Sequence, residues 1–284
     1  MLKTTLFIKT SLLFSILLAC EEPSPNGLPN ERIMDTQTDM EASLLPPPDM
    51  TIAQLEDLAI QQADMENIPP SLYPSPPEGY PVFRLPIAAE DLVKMEQRVV
   101  FGVDHDPSTG VRIQCEDYAG RIFPYCYDEH RGSDFILLGG FEAMDQGSAQ
   151  VVAPLAGRVI DIEDGHYDRC HADALTVDVS CDGFPMQANY VTLEHDNGWI
   201  THYYHLKKYS LTVQVGDLVN CGDLLGYIGS SGYSSAPHLH FEVEDSFGRI
   251  WDPFAGPSSQ PFSLWSNQSL PEAESLPSTS CSSP

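Results

Sequence analysis

The sequence predicts a mainly β domain, built on an antiparallel β-sheet, between two disordered flanks. Three observations predict it. Between about residues 82 and 255, short alternating segments recur between Gly, Asp and Asn turns. No long amphipathic helical pattern is visible in that span. The 24 Pro of the 284-residue chain are spread unevenly, toward the flanks. At 42% hydrophobic residues the chain can bury a core, and 14 Lys and Arg against 41 Asp and Glu give a formal net charge of −27. Nucleic acid is therefore excluded as an expected partner, because binding phosphates needs clustered positive charge.

Residues 1–19 place Lys3 and Lys9 before an apolar stretch from about Thr10 to Ala19. That stretch is too short to cross a bilayer, which needs roughly 20 apolar residues, and it reads as a secretion signal. It ends Leu17-Leu18-Ala19-Cys20, a small residue followed by Cys, which resembles the bacterial lipobox. The expectation is an exported lipoprotein anchored to a membrane through Cys20, on the periplasmic or cell-surface side. Residues 20–81 follow as an acidic, Pro-rich tether. From Glu21 to Tyr80 there are 11 Pro, 12 acidic residues and one basic residue, Arg32, too little apolar content to offset the entropy of ordering. Within it, Met50 to Met65 has Ile52, Leu55, Leu58 and Ala59 at helical spacing, read as a transient helix in a linker.

The domain is expected over residues 82–255. Ala174 to Ser180 alternates Leu175, Val177 and Val179 with polar residues, and Tyr190 to His195, Trp199 to Leu206, Leu224 to Ile228 and His238 to Val243 read as further strands. Between Ile162 and Tyr190 lies an acidic segment with Asp161, Glu163, Asp164, Asp168 and Asp173 in and beside it. Its spacing does not fit an EF-hand loop, so it reads as a solvated loop. Residues 256–284 form a Ser- and Pro-rich tail, expected to be loosely packed except where Cys281 holds it.

Apart from Cys20 the chain has six cysteines: Cys115, Cys126, Cys170, Cys181, Cys221 and Cys281. An even number in an exported chain predicts disulfides. Cys115 and Cys126 are eleven apart, as are Cys170 and Cys181, spacings that suit hairpin staples and leave Cys221 and Cys281 to tie down the tail. Six cysteines allow fifteen pairings in all. No pair has the CxxC spacing of a thiolate zinc site or redox motif.

The chemistry-bearing residues are histidines. In His238-Leu239-His240-Phe241-Glu242-Val243 the strand period puts His238, His240 and Glu242 on one face and Leu239, Phe241 and Val243 on the core face. In the strand Trp199 to Leu206, Tyr203 and His205 are expected to share a face, with His202 on the opposite one. Upstream, His130 and Asp134 stand four apart, with Gly132 between them to let the backbone turn so that both converge. Two imidazoles and a carboxylate for a metal, plus two spare imidazoles, suit an open catalytic zinc site.

Taken together, the HxxxD at His130 to Asp134, the YxHL at Tyr203 to Leu206 and the HLHFEV at His238 to Val243 resemble the lysostaphin-type (LytM-like) zinc metallopeptidases. Val151-Val152-Ala153-Pro154, Leu193 to Gly198, Val215-Gly216-Asp217 and Gly226 to Gly232 are similar to that family too, and the resemblance covers roughly residues 98 to 255. It implies a LytM-like antiparallel sheet domain of the duplicated-hybrid-motif, barrel-sandwich-like kind. It implies one Zn²⁺ held by His130, Asp134 and His240, with His205 and His238 as catalytic histidines. The implied activity is hydrolysis of peptide cross-links in peptidoglycan, as a D,D-endopeptidase; the alternative is a non-catalytic LytM-like lipoprotein that activates cell-wall amidases. The family often has a catalytic Tyr shortly before the first ligand; here it is Tyr125, Tyr127 or absent, the local sequence not aligning well enough to choose, and Ala236 stands where the family usually has Gly. His105, in Phe101 to Pro107, reads as a surface or loop histidine, and His166, His171, His195 and His202 as bystanders.

Overall fold

The computed structural model describes residues 73–173, 178–271 and 275–281. The signal segment, Cys20, the tether as far as residue 72 and the stretch Met50 to Met65 lie outside the described residues, as do residues 174–177 of the strand expected over Ala174 to Ser180.

The fold is mainly β. Among the described residues its strands are β1 (Ser133–Ile136), β2 (Gln150–Val152), β3 (Gly157–Glu163), β4 (His171–Ala172), β5 (Val179–Ser180), β6 (Tyr190–Glu194), β7 (Ile200–Tyr204), β8 (Leu218–Val219), β9 (Leu224–Tyr227), β10 (His238–Glu244) and β11 (Ile250–Trp251), with one α-helix, α1 (Gly140–Gly147), and two short 3-10 helices, Ala89–Lys94 and Asp196–Gly198. Seven strands form one antiparallel sheet in the order β1-β10-β7-β6-β3-β8, with β11 also paired to β10. Two small sheets, β2-β9 and β4-β5, stand beside it. β10 is therefore an interior strand, hydrogen-bonded to β1 on one side and β7 on the other. Such double pairing fixes register, and register decides which side chains meet. Among the described residues, no helix is long and apolar enough to cross a membrane.

Strand alternation explains the core. Leu239, Phe241 and Val243 of β10, Val191 and Leu193 of β6, Val159 of β3 and Tyr203 of β7 are buried together on one face of the sheet. Three disulfides, Cys115–Cys126, Cys170–Cys181 and Cys221–Cys281, close the loops around it.

The flanks differ from expectation. The tail is packed: Leu264 and Trp265 lie in the core, with the Trp265 ring 5.7 Å from that of Phe241. The backbone N–H groups of Phe83 and Leu85 donate to Leu264 O and Ser278 O, both at 2.7 Å. The N-terminal edge begins before residue 82, since Tyr80 packs against Trp199, Trp251 and Phe262 at 5.1 to 5.5 Å. Large aromatic rings bury 150–250 Å² each, so a few of them anchor a Ser- and Pro-rich segment that has no hydrophobic period.

Candidate active site

Register brings the first two groups together. Asp134 of β1 lies opposite His240 of β10, and Asp134 Oδ1 is 2.8 Å from His240 Nδ1. His130, in the loop just before β1, turns Nε2 toward the same place, 3.3 Å from Asp134 Oδ1 and 3.1 Å from His240 Nδ1. His238, two residues back along β10, puts Nε2 3.5 Å from Asp134 Oδ1. All four are buried: His130 and Asp134 3% exposed, His238 6% and His240 8%. Gly132 is required here by crowding. A Cβ at this position would come within 2.7 Å of both His240 Nε2 and Phe241 O.

His205 arrives by a different route from the one its strand pattern predicts. β7 ends at Tyr204, and His205 takes a left-handed backbone conformation with φ 65°, uncommon for a residue other than Gly. This breaks the period of two. Tyr203 points into the core, its hydroxyl 2.7 Å from Thr201 Oγ1, while the His205 ring lies 4.6 Å from His238 and 5.7 Å from His240. Tyr203 and His205 therefore do not share a face. Nor does His202 turn away from the site's strand face: it pairs with Glu242 across β7 and β10.

The outward nitrogens account for the orientation of every ring. Nδ1 of His130 lies 2.7 Å from Gly102 O, Nδ1 of His205 2.7 Å from Ser231 O, and Nδ1 of His238 2.7 Å from Ala236 O. A carbonyl only accepts, so each Nδ1 must donate and each Nε2 faces inward with its lone pair. His240 is reversed: Nε2 donates to Glu242 Oε1 at 2.9 Å, and Nδ1 faces inward. Ala236 serves through its backbone oxygen, and its φ is not in the left-handed region, so the departure from Gly introduces no strain.

Electrostatics follow from this convergence. Burial pushes the Asp134 carboxyl up, but the charges of His130 and His238 and the hydrogen bonds from His130 and His240, all made when these rings are protonated, hold it well below the usual carboxylate range. Burial pulls His205 well below its ordinary value, helped by the like charges of His238 and His240. Burial also lowers His238. His240 moves the other way: burial lowers it, yet hydrogen bonds and charge from Asp134 and Glu242 raise it to about 9. Two inward imidazole lone pairs only 3.1 Å apart, beside an ionised carboxylate, fit a site built around a cation. His130, Asp134 and His240 are grouped so that one atom from each could hold a metal ion.

Of the two tyrosines, Tyr127 touches the site, its ring centroid 4.2 Å from that of His130, and burial raises its hydroxyl above the ordinary value. Tyr125 instead lies under the guanidinium of Arg121 at 4.3 Å. The other histidines have structural partners. His195 bridges Ala156 O and Thr201 Oγ1, and His105, more buried than a surface residue, is bonded to Asp252. Sequence reasoning missed Arg131, whose Nη2 is 2.7 Å from Glu244 Oε1 and whose Nε is 3.5 Å from Glu242 Oε2. A cation directly after a proposed ligand was the available signal. His202, Glu242 and Glu244 also lie close enough to share an ion, with Arg131 across the two carboxylates.

Residues 129–253 match peptidase family M23. Over 50 residues the chain is 50% identical to lysostaphin of Staphylococcus simulans, covering 18% of this chain and 10% of that protein. Over 59 residues it is 39% identical to the peptidoglycan DD-endopeptidase ShyA of Vibrio cholerae, covering 21% and 13%. The alignments thus span only about a tenth to an eighth of the length of these relatives. Among solved structures, the catalytic domain of lysostaphin from Staphylococcus simulans aligns with 23% identity and a TM-score of 0.34, covering 59% of this chain and 95% of that one.

Proposed function

From the match of residues 129–253 to peptidase family M23 we propose that the chain is a zinc-dependent endopeptidase that hydrolyses peptide cross-links of peptidoglycan, as a D,D-endopeptidase in cell-wall remodelling. The observation that carries this reading is the convergence of His130 Nε2 and His240 Nδ1 on Asp134 Oδ1, with each ring's other nitrogen already committed outward.

His130, Asp134 and His240 would hold the zinc. When bound, the ion would supply a Lewis acid and lower the pKa of an attacking water to roughly 7. The chain's own residues do the rest. His238, kept neutral by burial and holding its Nδ1 proton on Ala236 O, presents Nε2 as the base that takes the water proton and returns it to the leaving nitrogen. His205, neutral and fixed by Ser231 O, presents an acceptor that orients the water. Membrane attachment through Cys20 belongs to the same proposal, with residues 20–81 giving the enzyme reach over the nearby wall.

The test is digestion of purified peptidoglycan by the full chain, with and without chelator, beside His240→Ala, the released peptides being identified by mass. Cross-linked dimers should become monomers only with zinc-loaded wild type. Intact cross-links despite one bound zinc would refute the substrate. A wild type that takes up no zinc would refute the enzyme and favour the amidase activator.

A further inference from the structure

We propose that Glu242 is a positioning residue for the metal ligand His240, and that Arg131 holds Glu242 in place; the proposal rests on the metal-site reading above. Four imidazoles meet at the site, and three have their outward nitrogen fixed by a backbone carbonyl, from Gly102, Ser231 and Ala236. Among the four, His240 is the one fixed by a carboxylate, through the 2.9 Å bond from Nε2 to Glu242 Oε1, whereas the side chain beside His238 Nδ1 is the neutral Ser234 Oγ at 3.2 Å. The difference is chemical. A carbonyl offers a dipole, whereas a carboxylate offers a full negative charge, which makes the opposite nitrogen of the ring a stronger donor to a cation and locks the ring's tautomer and direction.

Strand geometry sets up the contact. Residues two apart on β10 point to the same face, and pairing to β1 and β7 holds that face in register. The Glu242 side chain is only 12% exposed and its second oxygen lies 3.5 Å from Arg131 Nε. Arg131 also reaches Glu244 Oε1 at 2.7 Å. Because Arg131 directly follows His130, its guanidinium ties the loop carrying one ligand to the strand carrying another, outside the metal position.

The experiment uses the full chain as wild type, Glu242→Ala, Glu242→Gln and Glu244→Gln. Zinc affinity is measured by competition with a chromophoric chelator, and ligand geometry by the visible spectrum of the cobalt(II)-substituted protein. Glu242→Ala should weaken zinc binding by about 10–100-fold and change the cobalt spectrum. Glu242→Gln, which keeps an acceptor at the same reach but loses the charge, should fall between that variant and wild type. It also carries the test if the alanine variant does not fold. Glu244→Gln removes the same charge from the same face without touching His240, and should stay within about fivefold of wild type, the scale of a partly screened ion pair. Wild-type affinity in both Glu242 variants overturns the proposal. So does a Glu244→Gln loss as large as that of Glu242→Gln, which would make the effect one of general charge, or a second zinc equivalent that Glu244→Gln abolishes. A wild type that takes up no zinc overturns the metal-site reading and this proposal with it, whereas normal wild-type binding with indifferent Glu242 variants overturns this proposal alone.

Discussion

The two faces of β10 are both out of water, yet they are held by different physics. On one, Leu239, Phe241 and Val243 are 0% exposed and pack among apolar neighbours, where shape and volume decide the fit. On the other, His238 and His240 are 6% and 8% exposed, and each of their ring nitrogens faces a named polar atom. Burial therefore does not separate the functional face from the structural one. What separates them is polar accounting: the core face has no hydrogen bonds to satisfy, and the site face has inward lone pairs that need a cation or a proton. The same backbone pairings serve both faces, so the packed side gives the polar side its precision.

The comparison breaks most visibly at Phe241. Its ring touches Phe83, Tyr203 and Trp265, with centroids 5.5 to 6.1 Å away. Phe241→Ala should lower unfolding stability by about 3–5 kcal/mol in denaturant titration, with activity falling at least as far as the folded fraction does. A loss below about 1 kcal/mol would mean that the core collapses around the gap and that β10 does not depend on its packed face.

On the site side the expected pattern is the reverse. His205→Ala should reduce kcat by about 10²-fold through a misplaced water, equivalent to about 2.7 kcal/mol of transition-state stabilisation. Its unfolding midpoint should stay close to wild type, because the ring contributes to a polar cluster and not to the apolar core. A stability loss matching that of Phe241→Ala would erase the distinction between the faces.

Much of this was legible in the sequence, for a physical reason. A strand's period of two is strict, so His238, His240 and Glu242 could be assigned to one face of β10 and Leu239, Phe241 and Val243 to the other before any fold was known. Local spacing likewise placed His130 and Asp134 together. His205 shows where the rule stops. Its positive φ takes the side chain off the strand period, and although His enters the left-handed region more often than most residues other than Gly, the strand pattern gives no sign of where it does so. The carbonyls of Gly102, Ser231 and Ala236 were hidden because every residue has one; only the fold selects which carbonyl meets which ring. The packing of Tyr80, Leu264 and Trp265 was hidden because single aromatic anchors leave no period to read.

A third, half-buried polar arrangement makes the contrast at the smallest scale. His105 Nε2 is 3.0 Å from Asp252 Oδ2, and Asp252 Oδ1 accepts from the backbone N–H of Phe254 at 2.8 Å. Among the described residues no further imidazole converges on this histidine–carboxylate pair, so its partners satisfy one another and the proposed hydrolysis should be unchanged in His105→Gln. Burial lowers the His105 pKa, but the bond to Asp252 and the charges of Asp252, Asp104 and Asp117 outweigh it and leave the group above its ordinary value. A raised folded-state pKa means that the charged form stabilises the fold. That contribution is complete below the unfolded value of about 6.5 and is lost as pH rises through the folded value. Burial raises the Asp252 carboxyl, so the comparison belongs above its titration. At pH 6 wild type should exceed His105→Gln by about 1 kcal/mol, and the gap should close by pH 9. A gap of equal size at both pH values would show that the pair acts as a neutral hydrogen bond, leaving net charge to the candidate-site face of β10.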